Sequence, residues 1–149
     1  MSTFLSVRIH FIWSTKGREP SIESSWQPKL YAYINGILDN KKSKLLAIGG
    51  TNDHIHVYTS LPSTLSIAEL ANAVKSNSSG WIHETISHAQ SFAWQSGYAA
   101  FSMSKSADKN VRAYIQNQAE HHRAKTFKEE LIEFLDRDEI QYDPRYVFD

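Results

Sequence analysis

The residues of this sequence best suited to chemistry are two histidines separated by one apolar residue, His54-Ile55-His56. Successive side chains of a strand alternate faces, so on a strand His54 and His56 point to the same side. Two neutral imidazoles held this way can serve as paired ligands for a divalent cation. A His-x-His spacing also arises by chance on a polar strand face, and two ligands leave a cation under-coordinated. A metal site therefore needs another donor. Asp53 could orient one of the rings, although we favour a role in the preceding turn.

A second candidate group lies in the segment from Val111 to Gln118. Tyr114 and Gln118 are four residues apart, which places them on one face of a helix with about 5–6 Å between their β-carbons. The Gln118 amide oxygen is a ligand that hard cations accept, and the Tyr114 hydroxyl can form a phosphoester. A phenol with a pKa of about 10 needs a polarised phosphate or a nearby proton acceptor before it can attack. On spacing alone, Tyr114 could equally pack against a sheet with Gln118 on the surface.

Two histidines, His121 and His122, follow in the same predicted helix. Histidines near the C-terminus of a helix commonly interact with its dipole. We therefore do not include them among the predicted ligands.

Periodicity predicts the elements that must position these groups. Apolar residues alternate from Leu5 to Trp13, which predicts a first strand, and helical spacing from Leu30 to Leu38 predicts a helix. The segments 45–48 and 54–61 are predicted to be two strands joined by the Gly49-Gly50 turn region as a hairpin.

The second half of the chain is predicted to be mainly helical. Ser66 is the predicted cap of a helix that is interrupted near residues 76–80, and a weaker strand is predicted at 101–103. Helices are expected at about 107–124 and 126–137, before a polar and aromatic tail. The succession indicates an α+β fold in one domain spanning residues 1–149: a ferredoxin-like or RRM-like β-α-β-β-α-β antiparallel sheet with helices on one face, plus additional C-terminal helices.

Composition excludes several classes of function. The chain has no cysteine, so disulfides, thiolate catalysis and cysteine-based zinc sites are excluded. Sixteen basic and sixteen acidic residues give a formal net charge of zero, which argues against coating nucleic acid by bulk electrostatics. The N-terminus resembles neither a signal peptide nor a membrane span, so we expect a soluble, cytoplasmic protein.

Several segments together resemble one known family, the single-tyrosine transposases of small insertion sequences. These belong to the HUH nucleases, in which U is a hydrophobic residue. The resemblance covers nearly the whole chain and is carried by 11–16, Gly49-Gly50 with 53–56, 94–98 with 101–104, 114–118 and 140–146.

This resemblance implies a site and a reaction. His54, His56 and Gln118 are expected to hold Mg²⁺ or Mn²⁺, although imidazoles by themselves favour zinc or copper. Tyr114 is expected to be the nucleophile that cleaves single-stranded DNA, giving a 5′-phosphotyrosine and a free 3′-hydroxyl. Attack by the 3′-hydroxyl of another strand would then rejoin DNA without ATP, as DNA transposition requires.

The resemblance also implies partners. We expect DNA hairpins as the substrate and a homodimer in which the tyrosine helix of one subunit completes the histidine site of the other. Candidate contacts to DNA phosphates are Lys75, Lys105, Lys109 and Arg112, although basic residues near such a site are often only solvated. Trp81 and Trp94 are expected in the core.

Three alternatives stay open. A histidine-triad nucleotide hydrolase or transferase would carry a third alternating histidine where this chain has Tyr58. A domesticated relative would bind DNA hairpins without cutting them, and intact Tyr114 argues against it. A nickase for plasmid transfer or replication would use the same residues on another DNA target, and a chain of this length without a second domain disfavours it.

Overall fold

The structure is a computed structural model that describes residues 1–148. Four strands and five α-helices follow one another in the order β1 (Arg8–Ser14), α1 (Gln27–Asn40), β2 (Leu45–Gly50), β3 (His54–Ser60), α2 (Ile67–Thr85), β4 (Ala99–Met103), α3 (Asp108–Gln116), α4 (Gln118–Ala124) and α5 (Phe127–Arg137). Short 3₁₀ turns lie at Lys16–Arg18 and Lys105–Ala107. Of the helices within residues 1–148, none has the length and apolar character needed to cross a bilayer.

The four strands form one antiparallel sheet in the order β2-β3-β1-β4. This strand order, with α1 and α2 as its two crossover helices, is that of a ferredoxin-like sheet. The predicted α+β fold class is confirmed. The first strand begins at Arg8, later than the alternation suggested, and Leu5 lies outside it with 53% of its surface exposed.

The two faces of the sheet carry different side chains. Phe11 and Trp13 of β1 pair with Val57 and Ile55 of β3, and all four point into the main core beneath α1 and α2. The neighbouring positions point the other way, where Ile12 pairs with His56. Helices α3, α4 and α5 cover this second face, so the sheet lies between two helical layers.

Helix α2 differs from its prediction because it runs without interruption through residues 76–80. Two side chains there bond to carbonyls one turn earlier: Ser76 Oγ to Asn72 at 2.7 Å and Asn77 Nδ2 to Ala73 at 2.8 Å. Such bonding lets polar residues remain inside a helix. The predicted cap is confirmed, since Ser66 forms a reciprocal capping box with Glu69.

The long C-terminal helix predicted for 107–124 is divided in two. Asn117 leaves the helical conformation at φ −102° and ψ 25°, which ends α3 and begins α4. The last predicted helix is present as α5, and a capping box between Thr126 and Glu129 fixes its start.

Candidate active site

The two predicted histidines of β3 are fully buried beneath the C-terminal helices. His54 Nδ1 lies 2.8 Å from Asp53 Oδ1 and 2.9 Å from Thr51 Oγ1. An ionised carboxylate only accepts hydrogen bonds, so Nδ1 donates to Asp53, and this contact turns Nε2 toward the site. Asp53 therefore fills both roles that the sequence left open: it belongs to the turn, and it orients His54.

A third histidine on this sheet face supports His56. His10 Nε2 lies 2.8 Å from His56 Nδ1, so one of the two rings donates a hydrogen bond to the other. Burial and the neighbouring His56 hold the pKa of His10 well below its usual value, so His10 is neutral at physiological pH. Sequence reasoning missed His10, although strand alternation places it on the histidine face.

Helix α3 is held unusually close to the sheet. Gly49 pairs with His56 across the hairpin, and a β-carbon at Gly49 would lie 2.4 Å from the carbonyl oxygen of Ile115. Only a glycine leaves room for the helix at this point. At the start of α3, the Asp108 carboxylate accepts hydrogen bonds from Arg8, at 2.9–3.1 Å, and from the Tyr58 hydroxyl.

This close approach brings the four predicted residues together. Gln118 is 1% exposed, and its Oε1 lies 3.0 Å from His54 Nε2. The Tyr114 ring meets the His56 ring edge-on, with centroids 5.8 Å apart. All four side chains belong to one chain and converge on one buried volume.

A carboxylate that the sequence analysis missed lies at the centre of this volume. Glu130 of α5 is 3% exposed, and its Oε1 is 3.0 Å from His56 Nε2 and 3.7 Å from His54 Nε2. Its Oε2 accepts hydrogen bonds from the Tyr114 hydroxyl and, at 3.4 Å, from Gln118 Nε2. The signal was available: Glu130 follows Phe127 by three residues, which places it on the apolar side of α5.

These contacts set the charge states in the site. Burial by itself raises the pKa of Glu130, but hydrogen bonds from His122 and His56 outweigh it, and the pKa lies far below its usual value. Burial and the contact with the Glu130 carboxylate raise the pKa of Tyr114 well above that of a free phenol. Glu130 is therefore an anion at neutral pH, and Tyr114 is a protonated donor.

His122, which the sequence analysis left out of the ligand set, also reaches the site. Its Nε2 lies 3.1 Å from Gln118 Oε1 and 3.4 Å from Glu130 Oε1. His122 follows Gln118 by four residues within α4, so both side chains lie on the same face of that helix. One donor atom each from His54, His122 and Glu130 lies within 4.8 Å of the others, a group able to hold a metal ion. Imidazole nitrogens with amide and carboxylate oxygens fit a divalent ion such as Mn²⁺ or Zn²⁺.

A cavity of about 380 Å³ opens beside the tyrosine. Its walls are polar, aromatic and charged side chains from β1, α3 and the two last helices, among them His10, Tyr114, His121, Lys125, Phe134 and Arg137. The His121 ring lies tilted against the Tyr114 ring, with centroids 4.3 Å apart. The cavity provides space for another molecule next to the Tyr114 hydroxyl.

The four basic residues singled out in the sequence have different surroundings. Lys75 is buried, and its ammonium donates to the carbonyls of Ser96 at 3.2 Å and Gly97 at 2.8 Å. A contact with DNA would require Lys75 to leave these carbonyls. By contrast, Lys105, Lys109 and Arg112 are exposed, Lys105 just before α3 and the other two within its first half.

The sequence profile of one protein family, described as "Transposase IS200 like", matches residues 3–118. The chain belongs to this family. The matched range includes the histidine pair, Tyr114 and Gln118, and it ends before Glu130. No curated protein sequence matches the chain significantly.

Solved structures of transposases have the same fold. A protein from Deinococcus radiodurans assigned as a transposase is 19% identical, with a TM-score of 0.65 over 79% of this chain and 95% of its own. A REP-associated tyrosine transposase bound to a REP hairpin is 14% identical, with a TM-score of 0.60 over 82% of this chain and 74% of its own. At these identities the likeness establishes the fold of this IS200-like transposase.

Proposed function

We propose that this transposase cleaves and rejoins single-stranded DNA through a covalent bond between Tyr114 and a 5′-phosphate. The observation that carries the proposal is the convergence of Tyr114 and Gln118 with His54 and His56 in one buried site. The two histidines and Gln118 would hold the metal, for which we propose Mg²⁺ or Mn²⁺. A bound divalent ion supplies Lewis acidity to the scissile phosphate.

The side chains of this chain prepare the nucleophile. Glu130 accepts the hydrogen bond of the Tyr114 hydroxyl, which aims the oxygen. Its carboxylate can take the proton only as the bond to phosphorus forms and makes the phenol strongly acidic. As the tyrosine oxygen bonds to phosphorus, its proton passes to Glu130 and the bond from phosphorus to the 3′-oxygen breaks. The 3′-oxygen takes up a proton, which Glu130 returns through solvent, and leaves as a hydroxyl. Attack by the 3′-hydroxyl of another strand reverses the exchange and frees Tyr114.

Denaturing gels test the nucleophile directly. Tyr114→Phe removes the attacking oxygen, so we expect no covalent adduct with a labelled single strand, while binding of a DNA hairpin persists. His56→Ala should abolish cleavage at every metal concentration. Adducts that persist in Tyr114→Phe would refute the assignment, and hairpin binding without adducts in the wild-type chain would favour a binding protein.

We propose hairpin DNA as the substrate. The REP-associated relative is bound to a hairpin, and this chain exposes Lys105, Lys109 and Arg112 near the tyrosine helix. Arg112 also lies along a groove with Lys42 and Lys44, which adds positive charge on one side of the molecule. Each lost phosphate contact should lower the salt dependence of binding by about one counterion. A salt slope unchanged in Arg112→Ala would exclude that residue.

Each active site could be formed by one subunit or shared between two. Within the described chain, Tyr114 contacts the chain's own Glu130, and Gln118 contacts its own His54. This supports a site complete in one subunit, in place of the shared site that the resemblance implied, and it leaves a homodimer as a proposal. Mixing Tyr114→Phe with His54→Ala protein separates the two arrangements. A site within one subunit predicts no adducts from the mixture, whereas a shared site predicts their recovery.

A further inference from the structure

We propose that Glu130 and His122 are ligands of the metal ion. With His54, His56 and Gln118 they would form a centre of three imidazoles, one carboxylate and one amide. This inference rests on the proposed function for the presence of the metal. It extends the ligand set to two residues that lie beyond the segment matched by the family profile.

The separations between donor atoms support this coordination. The Oε1 atom of Glu130 lies 3.0 Å from His56 Nε2, 3.4 Å from His122 Nε2 and 3.7 Å from His54 Nε2. Ligands about 2.1 Å from a common ion are roughly 3.0 Å apart in an octahedron and roughly 3.4 Å apart in a tetrahedron. The donor atoms of His54, His122 and Glu130 lie within 4.8 Å of one another, so these three residues need little movement to bind one ion. His56 is not part of that group and would have to move closer to share the ion.

The second face of the cluster has the same spacing. Gln118 Oε1 lies 3.0 Å from His54 Nε2 and 3.1 Å from His122 Nε2. His122 thus stands between the amide oxygen and the carboxylate oxygen, and its ring is 4.4 Å from the His54 ring, measured between centroids. All three imidazole Nε2 atoms thus face these two oxygens, as the ligands of one ion would.

Charge provides a second, independent argument. Glu130 is 3% exposed, and within residues 1–148 its ion-pair partners within 4.0 Å are the imidazoles of His54, His56 and His122. A buried carboxylate is costly unless a positive charge or a metal compensates for it. A divalent cation would supply that charge and leave the imidazoles neutral, which is the form that ligates metals.

Two consequences follow from this ligand set. Three imidazoles favour ions late in the first transition series, so affinity should rise from Mg²⁺ through Mn²⁺ to Ni²⁺. Glu130 would also connect the ion to the nucleophile, because its Oε1 faces the ligand nitrogens while its Oε2 holds the Tyr114 hydroxyl. Loss of Glu130 would then change both the metal affinity and the position of Tyr114.

The competing explanation is that Glu130 occupies the place of the scissile phosphate and blocks the site. The two explanations differ in a measurement that needs no DNA. We would strip the full-length chain with a chelator and titrate it with Mn²⁺, following binding by calorimetry and by the spectrum of free Mn²⁺. Glu130→Gln keeps the shape of the side chain, and His122→Ala removes the imidazole.

We expect each substitution to weaken Mn²⁺ binding by at least about tenfold, as losses around metal sites usually do. The matched controls are Glu133→Gln, an exposed carboxylate one turn further along α5, and His88→Ala, an exposed histidine. Both should bind Mn²⁺ like the wild type. Unchanged affinity in Glu130→Gln, with or without tighter binding of a DNA strand, would overturn the proposal.

X-ray absorption of the Zn²⁺-loaded chain gives a second readout that a folding defect cannot imitate. Imidazole scattering should count three histidines in the wild type and two in His122→Ala, whereas a wild-type count of two would refute the inference. Neither measurement involves cleavage. If the chain binds metal as expected but forms no DNA adduct, the proposed function fails while the ligand set stands.

Discussion

Replacing Gly49 by alanine tests whether α3 must lie against β2 as closely as the site requires. The new β-carbon would stand 2.4 Å from the Ile115 carbonyl oxygen and 3.1 Å from Ile115 Cγ2. Ordinary contacts begin at 3.4 Å, so the helix must move away from the strand by about 1 Å. The nearest obstacle is backbone, which cannot turn aside as a flexible side chain can.

The expected size of the effect follows from this displacement. Overpacking of this kind usually costs about 1–3 kcal/mol of the free energy of unfolding. For a chain of this length each kcal/mol lowers the melting temperature by about 2–4 °C. Tyr114 precedes Ile115 and moves with it, and a misplacement of about 1 Å can slow a reaction by about 10²-fold. Gly49→Ala should therefore slow adduct formation by about 10²-fold while most of the chain remains folded.

Urea unfolding and the rate of DNA adduct formation measure the two effects, and Gly36→Ala is the matched control. Gly36 is exposed on α1, and a β-carbon there would meet nothing within 4 Å. That substitution should raise the free energy of unfolding by about 0.5–1 kcal/mol, because alanine favours a helix interior. If Gly49→Ala unfolded like the wild type and formed adducts at the same rate, the close packing of α3 would be refuted.

Three further predictions concern other parts of the molecule. Thr126→Ala removes the cap of α5 and should cost about 1 kcal/mol in the free energy of unfolding, measured in urea; no loss would mean that the capping box contributes nothing. Lys75→Met should lower the free energy of unfolding in the same assay, because the Lys75 ammonium donates hydrogen bonds to two carbonyls. The salt slope of DNA binding should not change. A reduced slope would show that Lys75 does contact DNA. Mn²⁺ at 100 times its dissociation constant should stabilise the wild-type chain by about 2.7 kcal/mol in thermal unfolding. His54→Ala should gain less stability at the same Mn²⁺ concentration. Equal gains in the two proteins would exclude His54 as a ligand.

The strand and helix periods correctly predicted which functional residues share a face of the same element. The two histidines of β3 share a face because a strand alternates, and Tyr114 and Gln118 share a face because they are four apart. Both rules are local and need no knowledge of the remainder of the chain. The sheet order also followed from the succession of elements, since short connections leave few topologies.

Tertiary packing decided what the sequence analysis missed. Glu130 is twelve residues beyond Gln118, and only the turn between α4 and α5 brings it back to the histidines. His122 follows Gln118 by four residues and so shares its helical face, but the sequence analysis set it aside as a histidine near a helix end. The helix break at Asn117 was also missed, because a polar residue gives no strong signal for the end of a helix. Polar residues also gave a wrong prediction at 76–80, where they suggested an interruption that α2 does not have.

The unequal packing of the two helical layers bears on how the metal site works. The main core beneath α1 and α2 contains fully buried aliphatic residues from both helices. Helix α5 packs on the sheet chiefly through Phe127, Leu131 and Leu135, each 4–7% exposed. Regions with fewer buried apolar contacts open more readily than the core does. Glu130 is thus carried by the more weakly held layer, while His54 and His56 belong to the sheet. When α5 moves away from the sheet, Glu130 leaves the site, both as a proposed metal ligand and as the hydrogen-bond partner of Tyr114. The apparent metal affinity therefore falls in proportion to the open fraction. By the same linkage, a metal ion bound to Glu130 would favour the closed position of α5 and so the contact between Glu130 and Tyr114.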